Sequence, residues 1–174
     1  KTKDTFKIPH LMKVVSTLSF YEEAQRTMAR TQGFIEMLLY LCGNTSLIHG
    51  DEVIQEHCAL AIRNLCFLKE SKAHFTSQEQ TLHKIVLYLQ SERLRLIAYT
   101  SSALLALVHR NQKVKSLLKR PVNHRVIKEV FDTLILQQAA LSSELGNDDQ
   151  SVDNILASSV EHLETLLQFL DEKS

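Results

Sequence analysis

The side chains that could do chemistry in this 174-residue chain include three cysteines and eight histidines. Cys42, Cys58 and Cys66 form no Cys-x-x-Cys pair, and His57 is adjacent to Cys58, so these two would point to different faces of a helix. Cys58 and Cys66 are eight residues apart on one apolar stripe, where small hydrophobic side chains are expected. The spacing predicts no metal site and no cofactor, and it favours a reducing, intracellular compartment.

A catalytic centre would need a nucleophile next to a base in a cleft. Serine, histidine and aspartate all occur, but no serine lies in a glycine-flanked elbow, and no glycine-rich loop could cradle a phosphate. The sequence therefore predicts that the protein is not an enzyme.

Charge is balanced over the chain and concentrated in one stretch. Twenty Lys and Arg offset twenty Asp and Glu, so there is no general attraction to nucleic acids or membranes. The stretch 110–128 contains basic residues and no acid between them: Arg110, Lys113, Lys115, Lys119, Arg120, Arg125 and Lys128. Two interpretations stay open. The stretch is either a docking surface for an acidic partner or a solvated ridge neutralised by the acids of 142–174. Nucleic acid is less favoured, because no aromatic residues interleave the basic ones.

The elements that must position these residues are helices. Apolar residues recur at helical spacing over most of the chain, and no segment alternates at period two for long. Four glycines and two prolines are too few for a β-sandwich or barrel, and no apolar run is long enough to cross a bilayer. The segment 92–109 is apolar nearly all round and must be covered by the last helix or by a partner. On 51–67 the predicted buried stripe is Ile54, Cys58, Ala61, Ile62 and Leu65.

Three segments repeat one order of helices: long, short, medium. Residues 18–25 lie 47 positions before 65–72, and 107–114 lie 42 positions further on. This period is typical of armadillo and HEAT repeats, which stack and bury a continuous core. The sequence predicts a single all-α domain over 1–174, an armadillo/HEAT-like α-solenoid of about three repeat units. The predicted units are about 8–50, 51–91 and 92–145, followed by a loop of turn formers at 146–149 and a C-terminal capping helix at 151–171.

Two stretches carry a resemblance to the armadillo-repeat family. Glu22–Leu41 resembles the first two helices of an armadillo repeat, and His57–Cys66 resembles its third helix. Residues 58–66, 103–119 and the closing helix are similar to the C-terminal region of a large armadillo-like scaffold of centrioles and ciliary basal bodies. The resemblance implies a cytoplasmic scaffold at the centrosome and basal body that acts in centriole assembly and maturation and in cilium formation, with no catalytic residues. We also expect the chain to be the C-terminal fragment of a longer protein.

Peptide-binding armadillo proteins present Trp and Asn, four residues apart, from successive third helices. The corresponding pairs here are Lys13/Thr17, Leu60/Asn64 and Ser102/Ala106, of which only Asn64 fits, and the chain has no Trp. The alternative function is a transport- or signalling-type adaptor that binds a linear peptide in its concave groove. Asn64 is the one residue of the Trp/Asn pattern that supports it.

The predicted function is a non-enzymatic protein–protein interaction domain of a scaffold, monomeric as an isolated domain. Its concave groove would bind a helical or extended segment of a centriolar protein, with no nucleic-acid or membrane partner. The groove residues are Leu60, Asn64, Tyr99, Ser102 and Ala106. The basic ridge is Lys113, Lys115, Lys119 and Arg120, and it would orient an acidic partner. Two other classes stay open: a lipid-tethering module that uses the basic segment, and a self-assembly module that uses 92–109 or the last helix.

Overall fold

The computed structural model describes residues 7–43, 51–77, 79–143 and 150–172, which form ten α-helices, one 3-10 turn and no strand. The all-α prediction is confirmed for these residues. The predicted loop at 146–149 lies outside them. In chain order the helices are α1 (Lys7–Leu18), α2 (Glu22–Arg30), α3 (Phe34–Gly43), α4 (Asp51–Phe67), α5 (Lys69–Ser77), α6 (Glu79–Leu87), α7 (Leu94–Val108), α8 (Gln112–Leu118), α9 (Pro121–Ser143) and α10 (Gln150–Asp171), with the 3-10 turn at Tyr88–Gln90.

The helices occur in the order that the three predicted repeat units require. The long helices α1, α4 and α7 are each followed by a short helix and then by a third one. The third helices differ, because α9 has 23 residues whereas α3 has 10 and α6 has 9. The turn before α3 contains Gly33 at a φ of 75°, a left-handed conformation that is common for glycine after a helix end. Stacking of these units into a solenoid stays a prediction.

The chain divides within α6 into two compact units, residues 1–84 (unit 1) and 85–174 (unit 2). In unit 1, α4 is central and packs against α1, α2, α3 and α5. The predicted stripe of α4, from Ile54 to Leu65, is buried, and Leu38 of α3 and Phe75 of α5 are fully buried in the same unit. The single-domain prediction for 1–174 stays a prediction.

In unit 2, α7 packs against the 3-10 turn, α8 and α10, while α9 packs against the turn, α8 and α10. Ten of the fifteen residues of α7 are buried. The last helix contributes Leu163 and Leu166, both fully buried, to this core. The sequence left open what covers 92–109, and within unit 2 α10 packs along it.

Candidate protein-interaction surface

The short helix α8 carries Lys113 and Lys115 of the basic ridge, and Lys119 and Arg120 follow directly after it. Two local features position this helix. Arg110, just after α7, has a φ of 55°, in the left-handed region, where a helix cannot continue. Asn111 then caps α8, its side-chain oxygen accepting a hydrogen bond of 3.2 Å from the Val114 N–H. Pro121 begins α9, a helix position where its missing N–H costs nothing. The ridge therefore spans the α8–α9 junction.

Three of the four ridge side chains are exposed, namely Lys113, Lys119 and Arg120. Lys115 is only 9% exposed and lies next to the buried Val114. A lysine in this position packs its aliphatic stem on apolar surface and keeps its ammonium group at the edge. The ridge is thus a surface in which Lys115 contributes mainly its terminal charge.

The end of α10 meets the ridge with two carboxylates, Asp171 and Glu172, which we call the acidic tail. Lys115 Nζ lies 3.8 Å from Glu172 Oε2, and Lys119 Nζ donates a hydrogen bond of 3.2 Å to the backbone oxygen of Glu172. His124 Nε2 of α9 lies 3.9 Å from Asp171 Oδ1, an ion pair when the imidazole is protonated. The acids of the C-terminal segment thus neutralise part of the ridge, as one interpretation of the sequence expected.

Other basic side chains of 110–128 make none of the contacts with the acidic tail described above. Arg125 Nε is 3.8 Å from Glu129 Oε1, one turn further along α9. For Arg110, Lys113 and Lys128 no acid of the described residues lies within ion-pair distance, and all three are exposed.

The predicted groove residues lie in different units. Leu60 and Asn64 are four residues apart on α4 of unit 1, whereas the others lie on α7 of unit 2. Leu60 and Tyr99 are half-buried, and Asn64, Ser102 and Ala106 are buried. In each unit, the structure therefore leaves one predicted groove side chain partly accessible. The prediction that these residues contact a partner stays a prediction.

Asn64 has partners within unit 1. It is 4% exposed, its Nδ2 donates to Ser19 Oγ at 2.9 Å, and its Oδ1 accepts from Arg63 Nη1 at 2.9 Å. The Ser19 hydroxyl in turn donates to the Ser16 backbone oxygen at 2.6 Å. The Asn64 amide therefore ties α4 to the end of α1. Binding of a peptide backbone by this amide would require these bonds to be exchanged.

A serine–histidine contact that the sequence gave no signal for also joins α1 to α4. Ser16 Oγ lies 2.9 Å from His57 Nδ1 and donates its proton to the Lys13 carbonyl, also at 2.9 Å. With the hydroxyl proton directed to the Lys13 carbonyl, the contact corresponds to the tautomer in which His57 Nδ1–H donates to Ser16 Oγ. Burial lowers the pKa of His57, with smaller opposed effects of Glu56 and Lys13. The two residues are 41 positions apart, and no local motif marks them.

An open cleft of about 470 Å³ in unit 1 was also absent from the sequence-based prediction. It lies beside the α2–α3 turn and α5, and its lining carries charges of both signs, from Arg30, Glu36 and Glu70. Arg26 Nε reaches Glu70 at 3.9 Å. Mixed charge of this kind gives no preference for an anion or a cation. No group of three or more His, Cys, Asp or Glu that could hold a metal ion occurs in the part of the chain that the structure describes.

The three cysteines are free and buried. Burial raises the pKa of Cys58 to about 12 and raises those of Cys42 and Cys66 as well. Thiols of this kind stay protonated near neutral pH and are poor nucleophiles and poor metal ligands. The interpretation of Cys58 and Cys66 as small buried hydrophobic residues is confirmed, and Cys42 is buried as well.

No protein-family model matches the sequence, and no curated protein is significantly similar to it. Among the described helices, none is both long enough and apolar enough to cross a bilayer.

Proposed function

We propose that this protein is a non-enzymatic interaction domain that docks an acidic segment of a protein partner on its basic ridge. The observation that carries the proposal is that Lys113 of α8 and Lys119 and Arg120, which lie between α8 and α9, are exposed in a stretch that contains no acid. Lys113 has no acid within ion-pair distance among the described residues. Such a surface raises the rate of encounter with an acidic partner and fixes its orientation.

The architecture that we propose around the ridge is an armadillo/HEAT-like α-solenoid capped by α10. The period of 42–47 residues and the recurring order of long, short and further helix support it. In such an array the long helices would line one groove, with Leu60 and Tyr99 as the partly accessible apolar anchors. Apolar anchors would supply most of the affinity, and the ridge would supply orientation.

The setting that we propose is the centriole and the ciliary basal body. The support is the resemblance of 58–66, 103–119 and the closing helix to the C-terminal armadillo-like region of rotatin, a scaffold of these structures. The partner would then be a centriolar protein, and the domain would act in centriole assembly and maturation and in cilium formation. An adaptor that binds basic linear peptides has less support, because its single matching residue, Asn64, is bonded to Ser19 and Arg63.

Charge reversal on the ridge tests the proposal. The variant combines Lys113→Glu, Lys119→Glu and Arg120→Glu, and the probe is a labelled peptide of about 15 residues composed mainly of Glu with Leu at every fourth position. Fluorescence anisotropy at low and at physiological salt gives the Kd. We expect wild-type binding that weakens with salt and a loss of about ten-fold or more in the variant, because three reversed charges face the peptide.

The matched control changes the same number of charges elsewhere. Lys69→Glu, Lys84→Glu and Arg95→Glu alter three exposed basic side chains outside the ridge and leave the net charge of the two variants equal. Equal losses in both variants would show a nonspecific charge effect and would contradict the proposal. The proposed setting is tested by expressing the wild-type domain and both variants in cells. Proximity labelling then measures whether each one lies near centrosomal proteins.

A further inference from the structure

We infer that the acidic tail is an internal occupant of the basic ridge and that an acidic partner binds by displacing it. The inference rests on the proposed function, since it describes how the same surface is regulated. It assigns Asp171 and Glu172 an autoinhibitory role that lowers the affinity of the ridge for acidic segments.

Packing of α10 in the core of unit 2 places the acidic tail next to the ridge. Leu166 and Leu170 of α10 are buried, and the ring of Phe169 packs edge-on against His109 with centroids 6.5 Å apart. Because α10 also packs against α8, its last residues must end next to the lysines of that helix. The position of the tail therefore follows from apolar packing and does not depend on the charges themselves.

The contacts at the ridge are those that an acidic ligand would make. Lys119 binds a backbone carbonyl at the negative end of the α10 dipole, and Lys115 faces the Glu172 carboxylate. Asp171 adds a second carboxylate next to His124. An acidic segment from another protein offers the same groups, so it competes for the same cations.

The tail is held weakly enough to be displaced. Its two carboxylates are separated from the nitrogens they face by 3.8 and 3.9 Å, and their side chains are 64% and 78% exposed. Asp171 is the last residue of α10, so the tail can leave the ridge while Leu170 stays in the core. Exposed pairs of this kind are individually weak, so the tail attenuates binding and does not abolish it.

Lys113 gives the partner an advantage over the tail. It is exposed two residues before Lys115 on α8, and no acid of the described residues lies within ion-pair distance of it. Two residues correspond to about 200° of rotation around a helix, so an acidic segment must extend around α8 to contact Lys113 as well as the cations that the tail occupies. The partner is therefore a segment with several carboxylates in sequence, and a single acidic residue is too short.

The test removes the two charges of the tail and keeps their shape. Asp171→Asn with Glu172→Gln is compared with wild type for binding of the same Glu-rich peptide by anisotropy. We expect about three-fold to five-fold tighter binding, because two competing carboxylates are gone. The matched control is Glu161→Gln with Glu164→Gln, the same charge change at exposed positions of the same helix, two to three turns before the acidic tail. We expect its Kd within about two-fold of wild type.

The outcomes separate the inference from the function it rests on. Binding that depends on Lys113, Lys119 and Arg120 but is equal in wild type and the tail variant overturns the inference alone. An equal gain in both neutralised α10 variants overturns it too, because net charge then explains the effect. Failure of the peptide to bind wild type and tail variant alike overturns the inference and the proposed function together.

Discussion

The long helices α1 and α7 each open a predicted repeat unit, and they end in different surroundings. Each packs along another long helix of its own unit, α1 along α4 and α7 along α10. Each pairing includes a serine–histidine contact, at 2.9 Å for Ser16–His57 and at 3.5 Å for Ser101–His162. Yet most of α7 is buried, whereas α1 keeps an exposed apolar stripe formed by Ile8, Leu11, Val14 and Leu18.

The difference shows what apolar periodicity determines and what it leaves open. Apolar residues on a helix predict that some face is covered, but the number of covering helices depends on the chain that follows. In unit 2 the chain continues into α10, which packs against α7, α8 and α9. Apolar side chains of α7 are therefore buried in the core of unit 2, whereas four apolar side chains of α1 are exposed.

The largest effect on the free energy of unfolding is expected from a leucine-to-alanine substitution in a buried helix face, compared with the same substitution in an exposed one. Leu166→Ala removes a fully buried side chain of α10, and Leu11→Ala removes one that is 59% exposed on α1. We expect the first to lower the free energy of unfolding by about 3 kcal/mol, because a cavity is left in the core. The second should change it by less than about 0.5 kcal/mol. Urea unfolding followed by circular dichroism measures both, and comparable losses would show that α1 is covered in solution.

An intermediate effect is expected at the buried amide of unit 1. Asn64→Ala leaves Ser19 without its donor and should cost about 1–2 kcal/mol of the free energy of unfolding. The exposed Asn154 of α10, replaced by Ala in the same way, serves as the control and should be near neutral. A neutral Asn64→Ala that also weakens peptide binding would instead favour a partner-binding role for this residue.

The smallest effect concerns the pH dependence of unit 1. Burial holds the pKa of His57 in the folded chain below its usual 6.5, so the unfolded chain binds this proton more readily. The contribution of the neutral His57 to the free energy of unfolding is fully present above about pH 6.5. It is lost as the pH falls through the lower pKa that His57 has in the folded chain. His57→Gln should therefore show a smaller loss of stability between pH 7 and pH 5 than wild type. His74→Gln, an exposed histidine of the same unit, is the control, and equal slopes for wild type and His57→Gln would contradict this origin.

Local pattern predicted much of the fold. The bounds of α4, α7 and α10 lie within two residues of those expected from apolar spacing and turn residues. These features depend on residues within one or two turns of each other. The sequence carries such information directly.

The rest depends on long-range packing. The Ser16–His57 contact and the meeting of the acidic tail with Lys115 and Lys119 join residues 41 to 57 positions apart. Helix phase alone also placed Asn64, Ser102 and Ala106 in a groove, whereas their burial depends on which neighbours cover α4 and α7. The basic stretch itself was visible in the sequence, but its partial neutralisation required the folded position of α10.

The most direct test of the account is an NMR titration of the ¹⁵N-labelled protein with the Glu-rich peptide. It compares the two regions in one experiment, because every backbone amide outside proline reports separately. We predict shift changes concentrated at 110–128 and at Asp171–Glu172, with the α1 stripe unaffected. Changes centred on Leu11 and Val14, or no saturable change along α8, would contradict the claim that the basic ridge is the docking surface.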